Sequence, residues 1–163
     1  MNKKTIAIIT FSILLIILIC ISIYFSYSNH KIGNEIASVH LYKNLIDTYL
    51  SNNNLLTNCN YISIDITSLI DPLTNNQLSD NSKNEILNYC KKYINNVYSE
   101  KIQDDSLMGL NIDFYISGKN KNNFNIDIKY SLSNSNSIGG RTYICIYNND
   151  VWTVNDKGNA WSS

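Results

Sequence analysis

Two histidines, thirteen acidic residues and four cysteines are the groups from which this 163-residue chain would have to build a catalytic or metal site. A nucleophile needs a base within hydrogen-bond reach and a third group to orient that base. The serines are scattered through polar stretches without a nucleophile-elbow pattern, and neither His30 nor His40 has such a partner nearby in sequence. Asp104-Asp105 is a candidate acid or metal pair, but adjacent residues on a helix point about 100° apart and do not converge on one ion. Asp65, Asp113 and Asp127 fall at polar positions of alternating segments, where the solvent side of a strand accounts for them. Of the cysteines, Cys59, Cys90 and Cys145 follow the apolar N-terminal run, and no pair has the C-x-x-C spacing of a zinc or redox site. The expectation is no catalytic residue, no metal and no cofactor.

Aromatic residues carry more promise than ionisable ones. Tyr115, Tyr143, Tyr147, Trp152 and Trp161 cluster toward the C-terminus, and Tyr and Trp are common anchors of binding surfaces. Tyr143 and Tyr147 alternate with Ile144 and Ile146, so part of the set is expected on the sheet face opposite the helices, the alternative being that they cover the sheet or line an internal pocket. Arg141, the only arginine, ends a flexible Ser137-Ile138-Gly139-Gly140-Arg141 loop suited to an anionic group. Tyr143, Tyr147, Trp152 and Arg141 are the expected binding residues.

The elements that must position them are legible as periodicities. Apolar residues at Ile36, Val39, Tyr42, Ile46, Tyr49 and Leu50, widened by Leu41 and Leu45, repeat with helical spacing after Asn34 as N-cap. Ile62, Ile64 and Ile66 alternate with polar residues, predicting a half-buried strand before an Asp71-Pro72 helical turn. Ser82 and Glu85 have capping-box spacing ahead of an apolar stripe running from Ile86 to Val97. A short turn over residues 100–108 is expected to stop at Gly109. The period then becomes two, through Ile112 to Ile116, Phe124 to Leu132, Thr142 to Tyr147, and Val151 to Asn155 after an Asn149-Asp150 turn. Helices followed by such strands predict an α+β domain, its helices packed on a curved antiparallel meander sheet.

Helix, short strand, capped helix, then a meander closing on Tyr147-Asn148-Asn149-Asp150-Val151-Trp152-Thr153-Val154 resembles the NTF2-like fold of cone-shaped α+β domains. In composition the chain is similar to single-span exported proteins of low-GC Gram-positive bacteria. The resemblance implies a binding domain without catalysis. Catalytic members set acidic residues and histidines inside the cone, whereas His30 and His40 fall here in the linker and first helix. A small hydrolase or isomerase working in such an internal cavity is the alternative.

Residues 5–27 carry no charge and follow Lys3 and Lys4. At about 1.5 Å per residue this run is long enough to cross a hydrocarbon layer about 30 Å thick. It exceeds the apolar core of a signal peptide, and Ser26-Tyr27-Ser28 lacks alanine, so an uncleaved anchor is expected over a secreted factor starting near Asn29. Cys20 follows Ile19, where a lipidation site would have a small residue. Basic residues stay on the cytoplasmic side, which predicts a cytoplasmic tail (1–4), one span (5–27), a linker (28–34) and an extracytoplasmic domain (35–163) in the cell membrane. Without Lys3 and Lys4, the 13 basic residues become 11 against 13 acidic, a formal charge of −2. That balance, with no basic patch longer than Lys91-Lys92, excludes a nucleic-acid surface. The expected partners are the bilayer through residues 5–27 and an envelope protein or small ligand.

Overall fold

The structure, a computed structural model, describes residues 2–51, 54–102, 106–133, 135 and 137–162, the side chains of residues 3–9 excepted. It divides into two compact units, residues 1–33 and 34–163. Helix α1 (Lys3–Ser51) belongs to both, since its backbone stays helical through residues 28–34, where the sequence predicts a linker. Those residues contain no proline. Gly33 costs the helix only about 1 kcal/mol, and a helix already nucleated on both sides propagates at one hydrogen bond per residue. Asn34 is accordingly a buried helix residue and not a cap.

In the first unit α1 is long and apolar enough to cross a membrane, a test that a signal sequence also passes. Its large apolar side chains from Phe11 to Tyr27 are exposed.

In the second unit a six-stranded sheet has the order β2-β1-β3-β4-β5-β6. The strands are β1 (Tyr61–Ile64), β2 (Val97–Tyr98), β3 (Gly109–Asn120), β4 (Asn123–Leu132), β5 (Ile138–Asn148) and β6 (Val151–Ser162). From β3 to β6 the strands form the expected antiparallel meander, but β1 pairs parallel with both β2 and β3. The domain is α+β with a mixed, open sheet. Parallel pairing buries β1 on both faces, so Tyr61 and Ser63 are as enclosed as Ile62 and Ile64, against the half-buried expectation.

One stripe of α1, Leu41, Tyr42, Leu45, Ile46 and Tyr49, shares a core with Ile112, Phe114, Phe124, Ile126 and Ile128 of the meander. Ile36, expected in that stripe, is exposed. Tyr42 meets Phe114 edge-on at 5.0 Å, and its hydroxyl donates to the Ile70 carbonyl (2.8 Å) while accepting from the Ile70 N–H (3.2 Å). Ser38 donates to the buried carboxylate of Asp71 at 2.9 Å. The same carboxylate accepts from the Leu73 N–H and the Thr74 hydroxyl, so Asp71-Pro72 forms a side-chain-closed turn instead of opening a helix.

Helix α2 (Asp80–Cys90) is capped three residues earlier than expected. Ser79 is the N-cap and accepts from the Ser82 N–H, while Glu85 reaches across to Lys43 of α1 at 2.7 Å. The helix also stops earlier, at Cys90, because Val97 and Tyr98 are drawn into the sheet beside β1. The β5–β6 hairpin turns where predicted: Asn149 and Asp150 both have positive φ, 48° and 62°, as a two-residue turn matching strand twist requires.

Gly109 opens β3 and does not end a helix. The Tyr61 ring lies directly over it, and a Cβ at position 109 would come 1.9 Å from Tyr61 Cζ. Gly109→Ala should therefore destabilise the domain by about 1–3 kcal/mol through overpacking. Urea unfolding of the detergent-solubilised chain checks this in a double-mutant cycle, since the penalty should shrink when Tyr61 is also alanine. An equal penalty in both backgrounds would exclude the ring as its cause.

Candidate functional site

Register decides which face each aromatic residue takes. Tyr143 lies opposite Ile126, Cys145 opposite Phe124, and Trp152 opposite Tyr147, which sets all four of these β5 and β6 residues on the face that α1 covers. Tyr143 is fully enclosed, Trp152 is 5% exposed and Tyr147 is half-buried. Trp152 packs against Phe124 at 5.3 Å and Tyr147 at 4.9 Å. The expected aromatic display on the open face is therefore corrected for Tyr143, Tyr147 and Trp152. Alternation separates two sets of side chains, but only pairing with Phe124 and Ile126 shows which set turns inward. The Tyr143 hydroxyl and the Trp152 indole N–H are buried without a hydrogen-bond partner among the described residues.

Two other members of the set do lie on the open face. Tyr115 and Trp161 are 45% and 47% exposed. A cross-strand row runs Trp161, Gly140, Lys129, Asp113, in which the indole rests on Gly140 and a Cβ there would meet Trp161 Cε2 at 2.9 Å. The Lys129 ammonium stands 4.4 Å from the centre of the Tyr115 ring. Around this row the carboxylates are already engaged. Asp65 accepts from the Thr67 N–H and hydroxyl, and Asp127 accepts from Thr142 at 2.7 Å. Desolvation, and then the charge of Asp65, pushes the Asp113 carboxyl above its usual range, against the pull of Lys101 and Lys129.

Arg141 is placed differently from its three expected companions. It lines a cleft of about 260 Å³ with Tyr49, Tyr130, Ala160 and Ser162, floored by Gly140 and Trp161. The cleft opens where α1 runs out at Ser51 and stops covering the sheet. Arg141 forks onto Asp156, Nε to Oδ1 at 3.0 Å and Nη2 to Oδ2 at 2.8 Å. Tyr49 and Tyr130 present their rings 6.3 Å apart at 48°. Burial pushes the Tyr143 hydroxyl up to about 12 and raises that of Tyr49 as well, so both stay protonated.

One cluster escaped the sequence reading. Asp47 accepts from the Tyr89 hydroxyl at 2.6 Å and the Tyr93 hydroxyl at 2.7 Å, and pairs with Lys92 at 2.5 Å. Lys92 also stands over both rings. The spacing Tyr89, Lys92, Tyr93 marks one helical face, but their anion lies more than forty positions earlier. Desolvation raises the Asp47 carboxyl, yet hydrogen bonds from Lys92, Tyr89 and Tyr93 outweigh it and hold the group below its usual range.

His30 and His40 are exposed on α1. Cys59 is half-buried and donates to the Leu55 carbonyl, while Cys90 and Cys145 are buried thiols that desolvation pushes up to about 12. Among the described residues no group of His, Cys, Asp and Glu is arranged to hold a metal ion, and Asp104-Asp105 lies outside them. No family model, curated protein or solved structure matches the chain.

The two shifted carboxylates predict opposite pH behaviour. Asp47, with a lowered folded-state value, contributes stability that is whole above the ordinary carboxylate value of about 3.9 and is lost as pH falls through the lower folded value. Asp113, with a raised value, costs nothing at low pH and destabilises as pH rises through the folded value. Asp47→Asn should thus lower the melting temperature at pH 7, with the deficit shrinking in acid, and Asp113→Asn should raise it. Melting curves from pH 7 to pH 3 check both signs.

Proposed function

We propose that this protein is a membrane-anchored, extracytoplasmic binding module without catalytic activity. The observation that carries the reading is the apolar surface of α1 from Phe11 to Tyr27, exposed along its length and joined to a separate folded unit. Burying a large apolar side chain is worth about 1.5–3 kcal/mol, so more than ten of them left in water would strongly favour transfer to lipid. Lys3 and Lys4 before the span support a cytoplasmic N-terminus and an outer C-terminal domain. The order of helix, strand, helix and meander supports a relation to NTF2-like domains.

The binding half of the reading now rests on the cleft. It brings Arg141 together with Tyr49 and Tyr130, whereas Tyr143, Tyr147 and Trp152 do not line it. In intact cells expressing the full chain, a membrane-impermeant amine reagent should label lysines of residues 34–163, and Lys3 and Lys4 only after permeabilisation. Labelling in the reverse order, or a processed chain in the medium starting near Asn29, would overturn the anchored topology. A photo-crosslinking residue at position 160, irradiated in native membranes, should give a discrete adduct; its absence would overturn the binding role.

A further inference from the structure

We propose that the cleft at Arg141 takes one ring of a neutral polyhydroxylated ligand, the chemistry of a glycan unit. The inference rests on the binding reading above and specifies the ligand class of that same cleft.

Charge is the first discriminator. Arg141 is bound side-on by Asp156 through two hydrogen bonds, so the guanidinium enters the cleft already neutralised. A free anion would gain Arg141 but meet Asp156, and a cation would meet the reverse, so neither finds a net field. The paired groups still offer hydrogen bonds outward: Nη1 and the outer N–H of Nη2 are donors, and Asp156 Oδ2 keeps acceptor capacity. Adjacent donors and acceptors in one plane match vicinal hydroxyls, each of which donates and accepts.

Shape is the second. Half-buried Tyr130 supplies the aromatic wall, beside a Tyr49 that is only 2% exposed, and ring faces carry the negative part of the aromatic quadrupole, which attracts the polarised C–H bonds of a saturated oxygenated ring. A wholly apolar ligand would strip water from the Arg141 and Asp156 groups without replacing it. The space results from small residues. Gly139 admits the Tyr130 ring, whose Cε1 would lie 2.6 Å from a Cβ there, and Ala160 leaves the β6 side open. At about 260 Å³ the cleft falls just under the range of about 300–1,000 Å³ typical of small-molecule sites, which sets its capacity at a single ring.

The test uses the full chain in a detergent without sugar headgroups, titrated calorimetrically with glucose, N-acetylglucosamine and their disaccharides, and in parallel with phosphate and acetate. Saturable binding of a saccharide, weakened at least tenfold in Ala160→Trp and in Tyr130→Ala, is the expected result. Ala160 is exposed on an edge strand, so an unchanged circular dichroism spectrum and melting temperature establish that Ala160→Trp fills the cleft of a folded protein. Saturation by phosphate or acetate alone would overturn the ligand class while leaving a binding cleft. Saccharide binding indifferent to Ala160→Trp would overturn the location, and no saturation by any saccharide would overturn the proposal outright. The crosslinking experiment above tests the binding reading by itself, so the two can fail separately.

Discussion

The folded unit depends on one face of α1 being held against the sheet. Hydrophobic burial along Leu41, Tyr42, Leu45, Ile46 and Tyr49 supplies the drive, but burial is non-directional and would tolerate sliding or rotation of the helix. Tyr42 removes that freedom. Its ring is fixed edge-on to Phe114 of the sheet, and its hydroxyl both donates to and accepts from the Ile70 backbone, tying the helix to the loop before α2 by two hydrogen bonds. Ser38, one turn earlier, anchors the same loop through Asp71. The helix is thus locked in register by polar contacts at its buried edge, and the neighbouring turn takes its shape from the same contacts.

The position of α1 determines where the sheet can be open. Strand β5 continues past the end of the helix, and there its inward-facing positions carry Gly139 and Arg141 in place of the Tyr143 and Cys145 that pack under the helix. Small and charged residues begin where cover ends. The cleft is the consequence of a helix shorter than the sheet it lies on, with Tyr49 from the last turn of α1 forming its inner wall.

Local sequence carried what depends on neighbours in the chain. The α1 stripe, the alternation of β3 to β6 and the Asn149-Asp150 turn were legible because helix period, strand period and turn conformation are set within a few residues. What was lost depended on distant partners. Ser79 displaced Ser82 as the cap because Glu85, free to complete a capping box, binds Lys43 from α1 instead. Val97 looked helical until β1 is seen to offer it an edge. Gly109 reads as a helix stop, since nothing nearby reveals that the Tyr61 ring needs its missing Cβ. For the site, Arg141 was visible as a lone arginine beside glycines, but its partner Asp156 and the wall from Tyr49 are contributions of tertiary structure. The inward turn of Tyr143 follows from its pairing with Ile126, a fact of register that alternation alone cannot supply.

Asp156 joins the management of the sheet edge to the chemistry of the cleft. β6 is a long edge strand, and an unmodified edge of twelve residues would be a template for pairing with another chain. Between the partners of Tyr143 and Arg141 it carries three residues, 157–159, against the single Thr142 of β5. The extra residues bulge, with Gly158 at φ 77° and its N–H donating to Asp156 Oδ1 at 2.8 Å. One carboxylate therefore closes the bulge and holds the Arg141 fork. A bulge flanked by Asp156 and containing Lys157 interrupts the hydrogen-bonding edge and adds charge to it, both of which oppose edge-to-edge association. The same distortion leaves Ala160 and Ser162 as the outer wall of the cleft. The irregular end of β6 is thus one device: interrupting the edge and orienting Arg141 require the same carboxylate in the same place.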